Sequence, residues 1–214
     1  MFKHKSGLFI PQSEHLRISG SIALLYGNKE FEKPFNYEVW LQSIAVHDKI
    51  FGISDTDLLG EISSLKREEQ VNNWINSEYN SIEEKLIILF HVRRILKDNN
   101  LQLSNLIDKE IEEISKNNNL DLEKYQKIDS ITDLCDLASF LFCFGDDKTT
   151  SLNVFKNEKE TIKVEIQIQD EQIILDPWPL SVEKYEGYIL GYKTKEDLKN
   201  FNPQIIKYII CQKN

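Results

Sequence analysis

Cysteine, glycine, proline, arginine and histidine are all scarce in this chain of 214 residues, and each scarcity removes a class of protein. There are three cysteines, and Cys135 and Cys143 fall in one expected helix. Eight residues of helix separate them by about 12 Å along the axis, too far for a bridge. A disulfide scaffold is therefore excluded, and reduced, buried thiols are expected. Eight glycines and five prolines exclude collagen-like and low-complexity chains, and a 41% hydrophobic content excludes wholesale disorder. No apolar run approaches the roughly 18 residues of a membrane span. The longest, such as Leu86-Ile87-Ile88-Leu89-Phe90, has the length of a core segment. Between Met1-Phe2-Lys3-His4-Lys5 and Pro11 the apolar residues are too few for the h-region of a signal peptide, so a cytoplasmic location without a membrane partner is expected.

Basic residues are also in deficit, 26 against 35 acidic, for a net charge of −9. Residues 151–214 hold 9 of the basic and 10 of the acidic residues, so the acid excess belongs to the first 150. A surface of that sign repels phosphate backbones and anionic lipid. Nucleic acid is thus not an expected partner. A small molecule fits better, and the composition is compatible with a homo-oligomer. The length suits one domain or a domain with a smaller addition.

The hydrophobic pattern changes period along the chain. After the extended Gly7-Leu8-Phe9-Ile10-Pro11, a helix capped by Ser13 is expected to end near Tyr26-Gly27, with His15, Ile18, Ser19 and Ile22 on one face. A second is expected over residues 37–51, closing at Gly52, with Trp40, Ile44, His47 and Asp48 on its inner side. Residues 64–79 read as an exposed helix. Ser81-Ile82-Glu83-Glu84 matches a capping box that opens another, on which His91 and Arg94 share a face with Ile87 and Ile95. A helix over residues 101–114 and a polar loop at residues 116–119 precede Ser130-Ile131-Thr132-Asp133. These are expected to cap a helix apolar nearly all round, and such a helix is buried. From about residue 151 the period becomes two: Ile162, Val164, Ile166 and Ile168 alternate with polar residues, and Asp170-Glu171 turns into Gln172. Strands near residues 152–155, 188–192 and 205–211 complete the pattern, broken by Asp176-Pro177-Trp178-Pro179. The expected fold is mainly α over residues 1–150, with a small C-terminal antiparallel β appendage over residues 151–214 packed on it. The N-terminal extended piece is a candidate to join that sheet.

Of the four histidines, His15, His47 and His91 fall on apolar helix faces, and His4 lies near the N-terminus. His47 is followed directly by Asp48, and Asp136 sits inside the most apolar helix. An ionised carboxylate in such surroundings needs a cation or a hydrogen-bond network. Imidazole and carboxylate are the donors that Zn, Mn and Fe accept. His15, His47, Asp48 and Asp136 are therefore candidate ligands of one divalent metal (Mn, Fe, Zn or Mg), carried on three helices.

The order His15, His47-Asp48, Asp136 resembles the HD superfamily of metal-dependent phosphohydrolases, carried on Ser13-Glu14-His15-Leu16-Arg17-Ile18, Ile44-Ala45-Val46-His47-Asp48 and Leu134-Cys135-Asp136-Leu137-Ala138-Ser139. Over nearly the whole chain the sequence also resembles the bacterial domain-of-unknown-function 3891 family. That likeness runs through Gln12-Ser13-Glu14-His15 with Ser19-Gly20, Ala45-Val46-His47-Asp48, Asp136-Leu137-Ala138-Ser139 and Leu175-Asp176-Pro177-Trp178-Pro179. After the doublet this chain has Lys49-Ile50-Phe51-Gly52 where that family usually carries a glycine and a tryptophan. The resemblance to the latter family implies relatives without a reaction.

The HD resemblance implies an HD-like helical bundle and hydrolysis of a small phosphoester or nucleotide. Asp48 would orient the attacking water, and His91 would ligate a second metal or protonate the leaving oxygen. Phosphate needs a positive clamp. Only Arg17, Arg67, Arg93 and Arg94 are available, of which Arg94 lies on the His91 side of its helix, Arg17 points away from His15, and Lys49 is a weaker candidate. Two alternatives stand beside this reading: a non-catalytic binding protein with a histidine–carboxylate network, and an HD-type iron oxygenase. The Asp176-Pro177-Trp178-Pro179 element is read as a staple of sheet to helices, or as a lid.

Overall fold

A computed structural model describes residues 1–48, 64–97, 100–145 and 147–213. Within them the chain is α+β. Two short strands, β1 (Phe2–Lys3) and β2 (Phe9–Ile10), lead into helices α1 (Gln12–Leu25), α2 (Tyr37–Val46), α3 (Ser64–Asn76), α4 (Ile82–Lys97), α5 (Leu101–Asn118) and α6 (Leu122–Phe144). Strands β3 (Lys148–Asn157), β4 (Glu160–Gln169), β5 (Gln172–Asp176) and β6 (Lys184–Gly191) follow. A short α7 (Lys195–Lys199) and β7 (Gln204–Gln212) end the chain. No helix among the described residues is long and apolar enough to cross a membrane.

The helix starts differ from expectation, and each for a local reason. Pro11, extended at ψ 152°, stands at the start of α1, so Ser13 lies inside the helix and caps nothing. Starting at Gln12 places that side chain three residues before His15, on the same face. Helix α6 begins at Asp121, whose carboxylate accepts the Glu123 N–H at 3.0 Å. Ser130, expected as the cap, is mid-helix. Its hydroxyl donates to the Lys127 carbonyl (2.7 Å) and accepts the Phe155 N–H (2.9 Å), which ties α6 to β3. The capping box of α4 is present in altered form: Ser81 Oγ accepts the Glu84 N–H (3.1 Å), while Glu84 accepts the N–H of Asn80 (2.9 Å). Helix α5 runs four residues beyond the expected end, to Asn118, and closes at Asn119 with φ 50°. In α3, Val71 and Trp74 are buried, so it is not a wholly exposed helix.

The second helix stops at Val46, short of residue 51, and His47-Asp48 occupy the turn beyond it. Residues 49–63, with Lys49 among them, lie outside the described residues. His4, expected near a loose terminus, is buried. Its ring bonds Ser6 (2.7 Å), while the adjacent Lys5 N–H reaches the Phe144 carbonyl (2.8 Å).

The β region is larger than a small appendage and is not purely antiparallel. Its five strands are ordered β3-β4-β5-β7-β6, and β5 pairs with β7 in parallel, Gln172 against Ile209. The β4–β5 hairpin turns at Asp170 and Glu171, both left-handed (φ 49° and 63°), as a tight hairpin turn needs. Inward residues Val164, Ile166, Ile168, Ile173, Leu175, Ile206, Tyr208 and Ile210 join the helices' apolar faces in one buried cluster. Strands β1 and β2 form their own two-stranded sheet, linked to the larger one by the Phe9–Tyr192 bridge. Helix α1 lies against α2 and α6, α4 against α2, α5 and α6, and α6 against β3.

Both ends of α1 are fastened to the sheet. At its start Glu14 accepts the Leu190 N–H (3.1 Å) and pairs with Arg17, whose guanidinium also bonds the Tyr188 carbonyl and sits 4.8 Å over the Tyr188 ring. Arg17 therefore turns to β6, away from His15. At its far end the Asp176-Pro177-Trp178-Pro179 element does the fastening: Gly27 N–H to the Pro179 carbonyl (2.9 Å), Asn28 to the Trp178 carbonyl (2.8 Å) and Ser181 N–H to the Leu25 carbonyl (2.8 Å). The Trp178 indole N–H closes on the Val182 carbonyl (2.7 Å). This is the staple arrangement, at the end of α1 away from His15.

Candidate metal centre

His15 from α1, His47 and Asp48 from the turn after α2, and Asp136 from α6 converge, with one ligand atom from each all within 4.8 Å of one another. The burial that brings them together follows from the sequence. His15 shares the inward face of α1 with Ile18 and Ile22, and Asp136, partly buried, follows the buried Cys135 on α6. Stopping α2 at Val46 lets the His47 ring fold back, so that Nδ1 donates to the Ile44 carbonyl (2.6 Å), one of the carbonyls a helix end leaves unpaired.

In the neutral ring that bond keeps the proton on Nδ1 and leaves the Nε2 of His47 with a lone pair. His15 is fixed the same way. Ser139 Oγ gives its only proton to the Asp136 carbonyl (2.8 Å), so it accepts from His15 Nδ1 (2.8 Å) and from Ser19 Oγ (2.6 Å). The Nε2 atoms of both rings are buried and make no hydrogen bond. Yet His15 Nε2 lies 3.1 Å from Asp136 Oδ1 and 3.4 Å from Asp48 Oδ2, and His47 Nε2 lies 3.4 Å and 3.8 Å from the same two atoms. Among the described residues neither ring makes an aligned hydrogen bond to these oxygens, although they lie close enough to favour a positive charge on it.

Ligands about 2.1 Å from a common ion stand about 3.0–3.4 Å apart at right-angle to tetrahedral geometry, close to the spacing found here. The donors also suit a borderline divalent ion, with two neutral imidazole nitrogens and two carboxylate oxygens. The residues present therefore fit a metal.

The electrostatics agree. Burial works against charge on His15, but Asp136 and Asp48 outweigh it and hold the ring up at about 9. His47 is shifted upward as well, with Asp48 and then Asp136 overcoming its burial. Burial also opposes charge on Asp48 and Asp136, and the surrounding rings reverse this, keeping both well below the usual carboxylate range. The cluster demands a cation, which in the metal-free chain is a proton.

Around the four ligands lies a shell that the sequence alone did not reveal. Gln12 donates to Asp48 Oδ2 (2.8 Å) and His91 Nε2 to Asp48 Oδ1 (3.1 Å). Arg94 donates to His91 Nδ1 (2.9 Å), to Asp133 (2.7 Å), and, at longer range, to Asp129 (3.3 Å) and Asp136 Oδ2 (3.4 Å). Of the residues expected at the site, His91 thus joins the cluster with both ring nitrogens committed to protein groups. One meets the Asp48 carboxylate and the other the Arg94 guanidinium, where ligation of a second metal or protonation of a leaving oxygen was expected. Burial and the nearby His47 push its ring below the ordinary value, consistent with a neutral imidazole. Arg94, expected to clamp phosphate, is engaged by four protein partners.

Two features of the sequence correspond to this shell. Asp129, Asp133 and Asp136 recur at four and three residues, one helix face, and Gln12 precedes His15 by three. Among the described residues the most accessible part of the centre is on α6. Asp136 is the most exposed ligand, with its side chain 13% accessible, and Phe140 one turn on is 42% exposed beside the His15 ring. Comparison of the chain with family models, with curated proteins and with solved structures found no match to any of them.

Proposed function

We propose that the chain is a metal-dependent hydrolase of HD type. It would bind one divalent ion through His15, His47, Asp48 and Asp136 and cleave a small phosphoester or nucleotide. The observation that carries this reading is the pair of buried Nε2 atoms of His15 and His47, without a hydrogen bond among the described residues, grouped with the carboxylates of Asp48 and Asp136. The ordering His15, His47-Asp48, Asp136 on α1, the turn after α2, and α6 supports kinship with the HD superfamily. A divalent ion held there would supply Lewis acidity, polarising a phosphoryl oxygen and bringing a bound water toward ionisation near neutral pH.

The chain's own residues do the rest. The Ile44 carbonyl and Ser139 hold the two imidazoles in the tautomer that presents Nε2. Gln12 and His91 fix the Asp48 carboxylate, and Arg94 steadies Asp136. Substrate reaches the centre from the side of Asp136, where Phe140 offers an exposed apolar face.

The test is metal content by mass spectrometry on tag-free protein purified without chelators, beside a His47→Ala, Asp48→Ala double variant, followed by phosphate release from phosphomonoesters and nucleotides. Near-stoichiometric metal in the wild type, lost in the variant, with metal-dependent phosphate release is expected. A wild type that neither carries metal nor takes up added Mn, Fe or Zn overturns the reading. Bound iron with oxygen uptake and no phosphate release would replace hydrolysis with oxygen chemistry.

A further inference from the structure

We propose that the guanidinium of Arg94 occupies the place of a second cation in this centre, making it mononuclear by construction. The inference rests on the metal reading above. Asp136 carries it geometrically: its Oδ1 faces His15 and His47, while its Oδ2 faces away from them, 3.7 Å from His91 Nδ1. A carboxylate turned this way bridges two cations in dinuclear sites. His91 completes the pattern, because its proton sits on Nε2, bonded to Asp48 Oδ1, and Nδ1 presents a lone pair on the far side. Imidazole lone pair, bridging carboxylate, Asp133 and Asp129 all converge on one point, and that point is Arg94.

The guanidinium is suited to hold it. It stays charged, it presents several N–H donors in a fixed plane, and here each nitrogen has an acceptor. Its helix, α4, packs against both α2 and α6, so the charge is delivered between the two elements that carry Asp48 and Asp136. A neutral side chain at position 94 would leave three carboxylates and a ring nitrogen around a space without a positive charge. Four such donors suit a divalent ion.

The experiment titrates wild type, Arg94→Ala and Arg94→Gln with Mn(II), counting bound ions by mass spectrometry after gel filtration and reading exchange coupling by electron paramagnetic resonance. Expected is about one ion per chain with an uncoupled signal in the wild type, rising to about two ions with a coupled signal when the guanidinium is removed. Arg94→Lys, which keeps a charge, stays at one. A second, coupled ion in the wild type overturns the inference, as does a single ion in the neutral variants. The wild-type arm decides even if neither neutral variant folds. No ion in any protein instead overturns the metal reading, so the two failures are distinguishable.

Discussion

Ser139 Oγ stands 2.8 Å from His15 Nδ1, with its own proton spent on the Asp136 carbonyl. One hydroxyl on α6 therefore sets which nitrogen of a histidine on α1 faces the centre, and it does so from the same turn of helix that carries Asp136.

Replacing Ser139 by alanine removes the acceptor for His15 Nδ1 without touching a ligand. Metal affinity is expected to fall by about 10- to 100-fold, the usual effect of losing such a partner. The helical circular dichroism should be retained. Competition against a chelator of known affinity measures this. An unchanged affinity would show that the hydroxyl does not orient His15.

His47 and His91 are both buried rings beside Asp48, but His47 Nε2 has no hydrogen bond among the described residues while both His91 nitrogens are bonded. His47→Ala is expected to abolish metal retention. His91→Ala, which costs Asp48 one donor and leaves all four ligands in place, should weaken binding by about 10- to 100-fold. Equal loss in both variants would place His91 among the ligands.

In the metal-free chain the stability depends on pH through His15, whose value is raised from 6.5 to about 9. Its charged ring stabilises the fold fully below 6.5, and that contribution is lost as pH rises through 9. The urea midpoint of chelator-treated protein should therefore fall between these limits, while metal affinity rises over the same window because ligation requires Nε2 without its proton. A urea midpoint that stays level there would contradict the charged-ring assignment.

Trp178→Ala tests the staple against the lid. The indole is half-buried and bonded to Val182, at the end of α1 away from His15. Loss of about 2–3 kcal/mol of stability with metal content unchanged is expected. A variant of full stability that fails to bind metal or substrate would assign the element to the site.

Much of this was legible in the chain itself. Periodicity placed His15 with Ile18 and Ile22, and marked residues 134–144 as core, which holds for Leu134, Cys135, Ala138, Leu141, Phe142 and Cys143 while Phe140 is exposed. The His47-Asp48 doublet and a lone Asp136 among apolar residues pointed to a cation because a buried charge is costly unless paired. Alternation from residue 151 onward gave the strands.

What one-dimensional pattern does not carry is which nitrogen bears a proton, which carboxylate oxygen faces which ring, and whether a cation is already in place. The sequence does not show which carboxylates engage Arg94, because Asp129 and Asp133 lie 35 and 39 residues away and meet it only when α4 packs on α6. The parallel pairing of β5 with β7 likewise depends on where the chain re-enters after β6, beyond the reach of alternation. The sequence determined that this protein buries histidines and carboxylates on several helices, since that is fixed by residue type and period. Only the tertiary structure decided that two Nε2 atoms end without a hydrogen bond while the third imidazole is fully bonded, because hydrogen-bond satisfaction depends on distances and angles between elements far apart in the chain.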